Sequence, residues 1–183
     1  MSTVYERRVE QEWRLLQLLA AANPGVIEGI QRQGGHGCEI LSFKLLKTPA
    51  LIVASDGVTV QDSHSVMMHF PSFFPSVPLE ASLGRPVFHP NVHPGNGFVC
   101  LWSRSSPGNT VVEGVFQLQR VVTWQLVNEE SDHLMQPAAL AWLKDPARAT
   151  ALPLACGLIR KPEGYDVERT YGKLPEGVRR RLS

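Results

Sequence analysis

The order of its two periodicities most limits what this chain can become. Apolar and polar residues alternate with period two only between about 26 and 70, and helical spacing occupies the chain on either side. "VIEGIQRQ" (26–33) reads as a strand, "GGHG" (34–37) as a flexible turn, and "CEILSFKLLK" (38–47) as the hairpin partner. In that partner Leu41, Phe43 and Leu45 alternate with Ser42 and Lys44. A third strand is predicted over 50–54, "SDG" (55–57) as a turn, and the next strand over 64–70, with Val66, Met68 and Phe70 on one face. "RPVF" (85–88) reads as a further short strand. Strands grouped ahead of later helices give an α+β class, an antiparallel meander packed on helices.

The helices follow from spacing and from prolines. Over 4–22, Val9, Trp13, Leu16 and Ala20 fall on one face, and "NPG" (23–25) ends the run because proline cannot donate the next backbone bond. A second helix is predicted over 115–127 and a third over 136–146, opened by Pro137 and closed before Pro146. "PSFFPSVPL" (71–79) carries three prolines and is predicted to be irregular. At 183 residues the chain is long enough to bury roughly 70% of its unfolded surface in one domain. A core over about 4–146 with a divergent extension over 147–183 is the expected organisation of residues 1–183.

Global charge points to no nucleic acid and no membrane surface, because the formal net charge is +1. The basic run Arg179, Arg180 and Arg181 reads as a solvated tail. Cys38, Cys100 and Cys156 are too few, and too far apart, for a disulfide framework, which suits a reducing, cytoplasmic setting. "LLQLLAAA" (15–22) lacks a basic leader and is too short to span a bilayer.

The chemistry concentrates in "HPNVHPGNGFVC" (89–100). Flanked by Val99 and Leu101, Cys100 fits a buried structural thiol. The preceding "PGNG" (94–97) lets the backbone turn sharply, which equally fits a shallow, reachable thiol. A zinc reading would combine His89, His93 and Cys100 with distant His133, but Pro90 and Pro94 exclude the helix on which H-x3-H works, and no second cysteine is near. Metal: none is the resulting expectation. A hydrolase reading would pair Cys100 with a histidine base through space, which spacing neither requires nor excludes.

Residues 70–102 resemble the E2 family, the ubiquitin-conjugating enzymes. Phe70, Pro71, Phe74, Pro75 and Pro78 fit that family's F-P-x-x-Y-P-x-x-P-P block, with Phe74 in place of tyrosine and Leu79 in place of the second proline. Phe88, His89, Pro90 and Asn91 fit its Y-H-P-N block. Cys100 follows nine residues after Asn91, and Leu101 fits the leucine that commonly comes next. The order of elements, a helix, a four-stranded meander, a cysteine loop and further helices, also matches that UBC-like fold. The tryptophan usual after the cysteine is missing from 103–110. Such divergence suits a bacterial ubiquitin-like system of the kind linked to antiviral (anti-phage) defence.

The resemblance implies an acyltransferase. Cys100 would accept a ubiquitin-like modifier as a thioester from an E1-like activating enzyme and pass it to an amine on a target protein, with an E3 as a further partner. Sulfur suits both steps, because a thiolate is nucleophilic near neutral pH and a thioester stays reactive toward amines. No cofactor is implied, since ATP is spent by the E1. Asn91 would donate to the developing oxyanion or pin the cysteine loop, two compatible roles. His89 and Pro90 would fix the turn. Asp132 sits where the family often has an acidic residue or serine to orient the incoming lysine, and Glu129, Glu130 and Ser131 compete for that place. Family position would put Arg7, Arg8 and Arg14 against the E1, and Phe74 near an E3 surface. A non-catalytic ubiquitin-binding variant generally lacks the cysteine; an unrelated cysteine hydrolase remains the other alternative.

Overall fold

The computed structural model describes residues 3–35, 37–102 and 109–166. The 103–108 part of the polar loop, His36 of the first turn and the Arg179, Arg180 and Arg181 tail lie outside the described residues.

Helix α1 (Val4–Ala22) has the bounds its spacing predicts. Its start is fixed by a capping box: Thr3 Oγ1 accepts from the Glu6 N–H, and the Glu6 carboxylate accepts from the Thr3 N–H. Asn23 closes it, its side-chain amide donating to Leu19 O and to Arg160 O. The apolar face, with Val9, Leu15, Leu16 and Leu19, is buried.

Five antiparallel strands follow in sequence order: β1 (Ile27–Gln33), β2 (Glu39–Ala54), β3 (Gly57–Phe70), β4 (Glu80–Leu83) and β5 (Phe98–Val99). The strand predicted over 50–54 is the far half of β2. An irregularity between Leu46 and Ala50, spanning Pro49, interrupts the pairing with β3 without ending the strand. "RPVF" is not a strand; the fourth strand is Glu80–Leu83, whose Ala81 and Leu83 face the core. β5 is only two residues long, pairing Val99 with Ala81 and Phe98 with Ser82, and it delivers the chain to Cys100.

Helix α2 (Val111–Val122) starts and stops four to five residues earlier than its spacing predicts. Thr110 caps it, accepting from the Glu113 N–H, and Thr123 Oγ1 turns back to donate to Gln119 O. Trp124 follows at φ 62, a left-handed conformation costly for an aromatic residue, and the helix cannot continue through it. The expected third helix is α3 (Pro137–Leu143), opened by Pro137 and closed before Pro146, and Pro146 begins a further short helix, α4 (Pro146–Ala149).

The main core lies between one sheet face, with Leu41, Phe43, Leu45, Val66, Met68 and Phe70, and the apolar faces of α1 and α2. One buried carboxylate joins the two helices: Glu12 accepts from Arg8 Nε at 2.9 Å and from the Val111 N–H at 2.7 Å, at the positive end of α2. A second cluster gathers Leu51, Trp124 and Ala139. The expected core limit near residue 146 falls short, because Ile159 is buried in the main core and Leu152 and Leu154 pack on the second cluster. No helix among the described residues is long and apolar enough to cross a membrane.

Candidate active site

The loop before Cys100 is a closed turn. The His93 N–H donates to Phe98 O, and the Gly97 N–H to His93 O. His93 Nδ1 accepts from the Gly95 and Asn96 N–H groups. Gly97 stands at φ +69, and the Leu83 N–H donates to its carbonyl. A Cβ at Gly97 would collide with Leu83 O, so only glycine fits this approach to β4.

The segment His89–Pro90–Asn91 is a clasp holding two distant parts of the chain. On one side the Cys100 N–H donates to Asn91 O at 3.0 Å. On the other, Pro90 O accepts from the Met135 and Gln136 N–H groups. Asn91, only 2% exposed, commits its whole side chain to the 128–133 segment. Its Nδ2 donates to Asn128 O at 2.6 Å and to His133 O at 3.0 Å, and its Oδ1 accepts from the Asn128 N–H at 2.8 Å. The amide that could face an oxyanion is thereby engaged with backbone, which is the geometry of the pinning role. His89 Nδ1 accepts from the Asn91 N–H, and the fully buried ring stacks edge-on against Trp124. Burial lowers the His89 pKa to about 3, so the ring is neutral.

Half-buried Cys100 faces a partner that spacing did not assign. Its Sγ lies 2.8 Å from Nδ1 of His133, 33 residues away, in a single 3₁₀ turn over Ser131–His133. The other ring nitrogen, Nε2, is 3.4 Å from Glu130 Oε2 and 3.8 Å from Asp132 Oδ2. Carboxylates only accept, so they favour the proton on Nε2 and leave Nδ1 to accept from the thiol. Burial raises the Cys100 pKa, the Asp132 carboxylate raises it further, and the Trp102 backbone N–H partly offsets both. His133 entered the sequence reading only as a distant zinc ligand; its place beside the acidic "EESD" was the one signal available.

The remaining predicted residues divide. Arg7 and Arg14 are exposed on α1, but Arg8 is not a surface residue: it is buried against Glu12, its guanidinium 5.2 Å from the Phe74 ring centroid. Phe74 is likewise no surface residue. It is 4% exposed and packs edge-on against Phe70, while neighbouring Phe73 is 77% exposed. Leu79, where the motif has proline, is wholly buried, and its carbonyl accepts from Trp102 Nε1. The zinc set does not assemble, since His93 is occupied in its own turn and His89 in the core. Glu130, Asp132 and His133 bring ligand atoms within 4.8 Å of one another. Both carboxylates are exposed, and Cys100 meets the opposite ring nitrogen, so thiol and carboxylates do not converge on one ion.

No protein-family model and no curated protein matches this chain. Among solved structures, a Trypanosoma cruzi protein assigned by name as a ubiquitin conjugating enzyme superposes with a TM-score of 0.59 at 16% sequence identity. The match covers 82% of this chain and 97% of that one. With its N-terminal helix, five-stranded antiparallel sheet and later helices, this chain has the α+β fold of the ubiquitin-conjugating enzymes.

Proposed function

We propose that the protein is an E2-like conjugating enzyme and that Cys100 carries the modifier thioester. The observation that supports this most directly is the half-buried thiol at the end of β5, held by its backbone to Asn91 within a UBC-like fold. In the first transfer the Cys100 sulfur attacks the E1 thioester carbonyl and the E1 sulfur departs. In the second, an amine, in the first instance a lysine, attacks the Cys100 thioester and the Cys100 sulfur departs. Asn91 serves by fixing the 128–133 segment, and exposed Asp132 orients the incoming lysine amine. Arg7 and Arg14 offer α1 to the E1, and exposed Phe73, rather than Phe74, offers a contact to an E3. Each of these partners is assigned by position in the fold.

The test is charging. Incubation with an E1, its modifier and ATP should give a band on a non-reducing gel that dithiothreitol removes and that Cys100→Ala abolishes. Persistence of the band in Cys100→Ala would move the nucleophile to another cysteine. The Cys100–His133 contact favours a second reading, a thiol hydrolase acting on a modifier's C-terminal amide or ester. Steady release of a fluorogenic C-terminal amide, with no thioester band under any E1, would favour that reading over the first.

A further inference from the structure

The 2.8 Å contact between Cys100 Sγ and His133 Nδ1 is unexplained by pinning, since the pinning bonds to His133 run through its backbone carbonyl. Three features make it a proton path. The thiol is half buried beside a carboxylate, and both conditions hold it in the protonated form, so its attack needs a group to take the proton. The imidazole is largely shielded, at 16% side-chain exposure, and presents the nitrogen that the carboxylates leave without a proton. Glu130 lies on the far side of the ring, where it stabilises the imidazolium once formed.

We infer that His133 is a catalytic base acting directly on Cys100, with Glu130 as its positioning residue. On charging, the Sγ proton passes to Nδ1 as sulfur bonds the modifier's carbonyl carbon. The bond from that carbon to the E1 sulfur breaks, and the imidazolium proton goes to the departing sulfur. On discharge, neutral Nδ1 takes the proton of the attacking acceptor as the new bond to the carbonyl carbon forms. It returns that proton to Cys100 Sγ as the thioester breaks. The identity of the acyl group rests on the conjugating reading above; the proton path does not. Among the described residues, the groups facing His133 are Cys100 from the end of β5 and Glu130 and Asp132 from its own segment. The nearby clasp adds only neutral His89, turned to Trp124.

The decisive measurement is the pH profile of Cys100 alkylation by iodoacetamide, followed on the Cys100 peptide by mass mapping with no E1 or modifier present. In the full chain, His133→Gln keeps the backbone carbonyl that Asn91 holds, so the segment should stay in place. It should slow alkylation at pH 7 by about tenfold or more and move the midpoint up by about one pH unit or more. Glu130→Gln should shift the profile in the same direction by less. Superimposable wild-type and His133→Gln profiles would overturn the base, and an unshifted Glu130→Gln profile would remove its positioning residue. Because alkylation needs no conjugation partner, a failure here is distinct from a failure to charge.

Discussion

Replacing Asn91 with alanine removes three hydrogen bonds at once, and the structure fixes what should follow. The bonds are Nδ2 to Asn128 O, Nδ2 to His133 O and the Asn128 N–H to Oδ1. None can be replaced by the methyl group, and Asn91 is 2% exposed, so water has little access to the groups left behind. At about 1 kcal/mol net for each bond, the loss is about 3 kcal/mol. In a chain of this size that lowers Tm by roughly 9 °C. Equilibrium urea titration of Asn91→Ala and wild type measures the free energy, and a thermal melt measures the shift. Freeing His133 O also loosens the ring that faces Cys100, so thioester charging and amide formation should fall together. Asn91→Asp should do no better, because it retains an acceptor for the Asn128 N–H but sets a carboxylate against two carbonyl oxygens. The reasoning is refuted if Asn91→Ala melts within about 2 °C of wild type while amide formation alone slows. That pair of results would mean the amide leaves its backbone partners and serves the oxyanion.

Two further outcomes are expected from the same clasp and loop. Gly97→Ala should lose about 2 kcal/mol or more in urea titration, since it combines a left-handed φ with a Cβ against Leu83 O, whereas Gly157→Ala, where an added Cβ meets nothing within 4 Å, should change stability little; equal effects would deny the close approach to β4. His89 should make stability depend on pH. Its folded pKa of about 3 lies below the unfolded value of about 6.5, so between those values the unfolded chain binds a proton that the folded chain does not, and stability falls as pH falls through that window. From pH 7 to pH 5 the wild type should lose about 2 kcal/mol more than His89→Gln, a comparison in which His64, lowered in the same direction by burial, cancels; parallel curves would place a charged His89 in the fold.

How much the sequence disclosed depended on whether each element was set locally. Helix α1 carries its own periodicity, a proline stop and a capping box, so its bounds could be read to the residue. The limits of α2 could not, because its start rests on the Thr110 cap behind two β-branched valines and its end on the left-handed turn at Trp124, held by packing against His89 and Trp142. β2 looked like two strands because Pro49 imitates a break that pairing with β3 bridges. β5, two residues long, exists only through its pairing with β4. Motif spacing led to Cys100 and Asn91 as candidates, yet it could not tell Phe73 from Phe74: adjacent aromatics differ only in which one the core takes.

His133 is the instructive omission. Through-space partners leave no spacing signature, and 33 residues, a loop and a helix separate it from Cys100. What joins them is the clasp: Asn91 O holds the Cys100 backbone, and the Asn91 amide holds the His133 carbonyl. One residue therefore holds the backbone on both sides of the Cys100–His133 contact. That arrangement makes a purely structural Asn91 and a catalytically consequential Asn91 the same residue. It also gives the two substitutions different signatures. Loss of the amide should disturb stability and thiol reactivity together, while loss of the imidazole should leave stability alone and move only the pH profile of the sulfur.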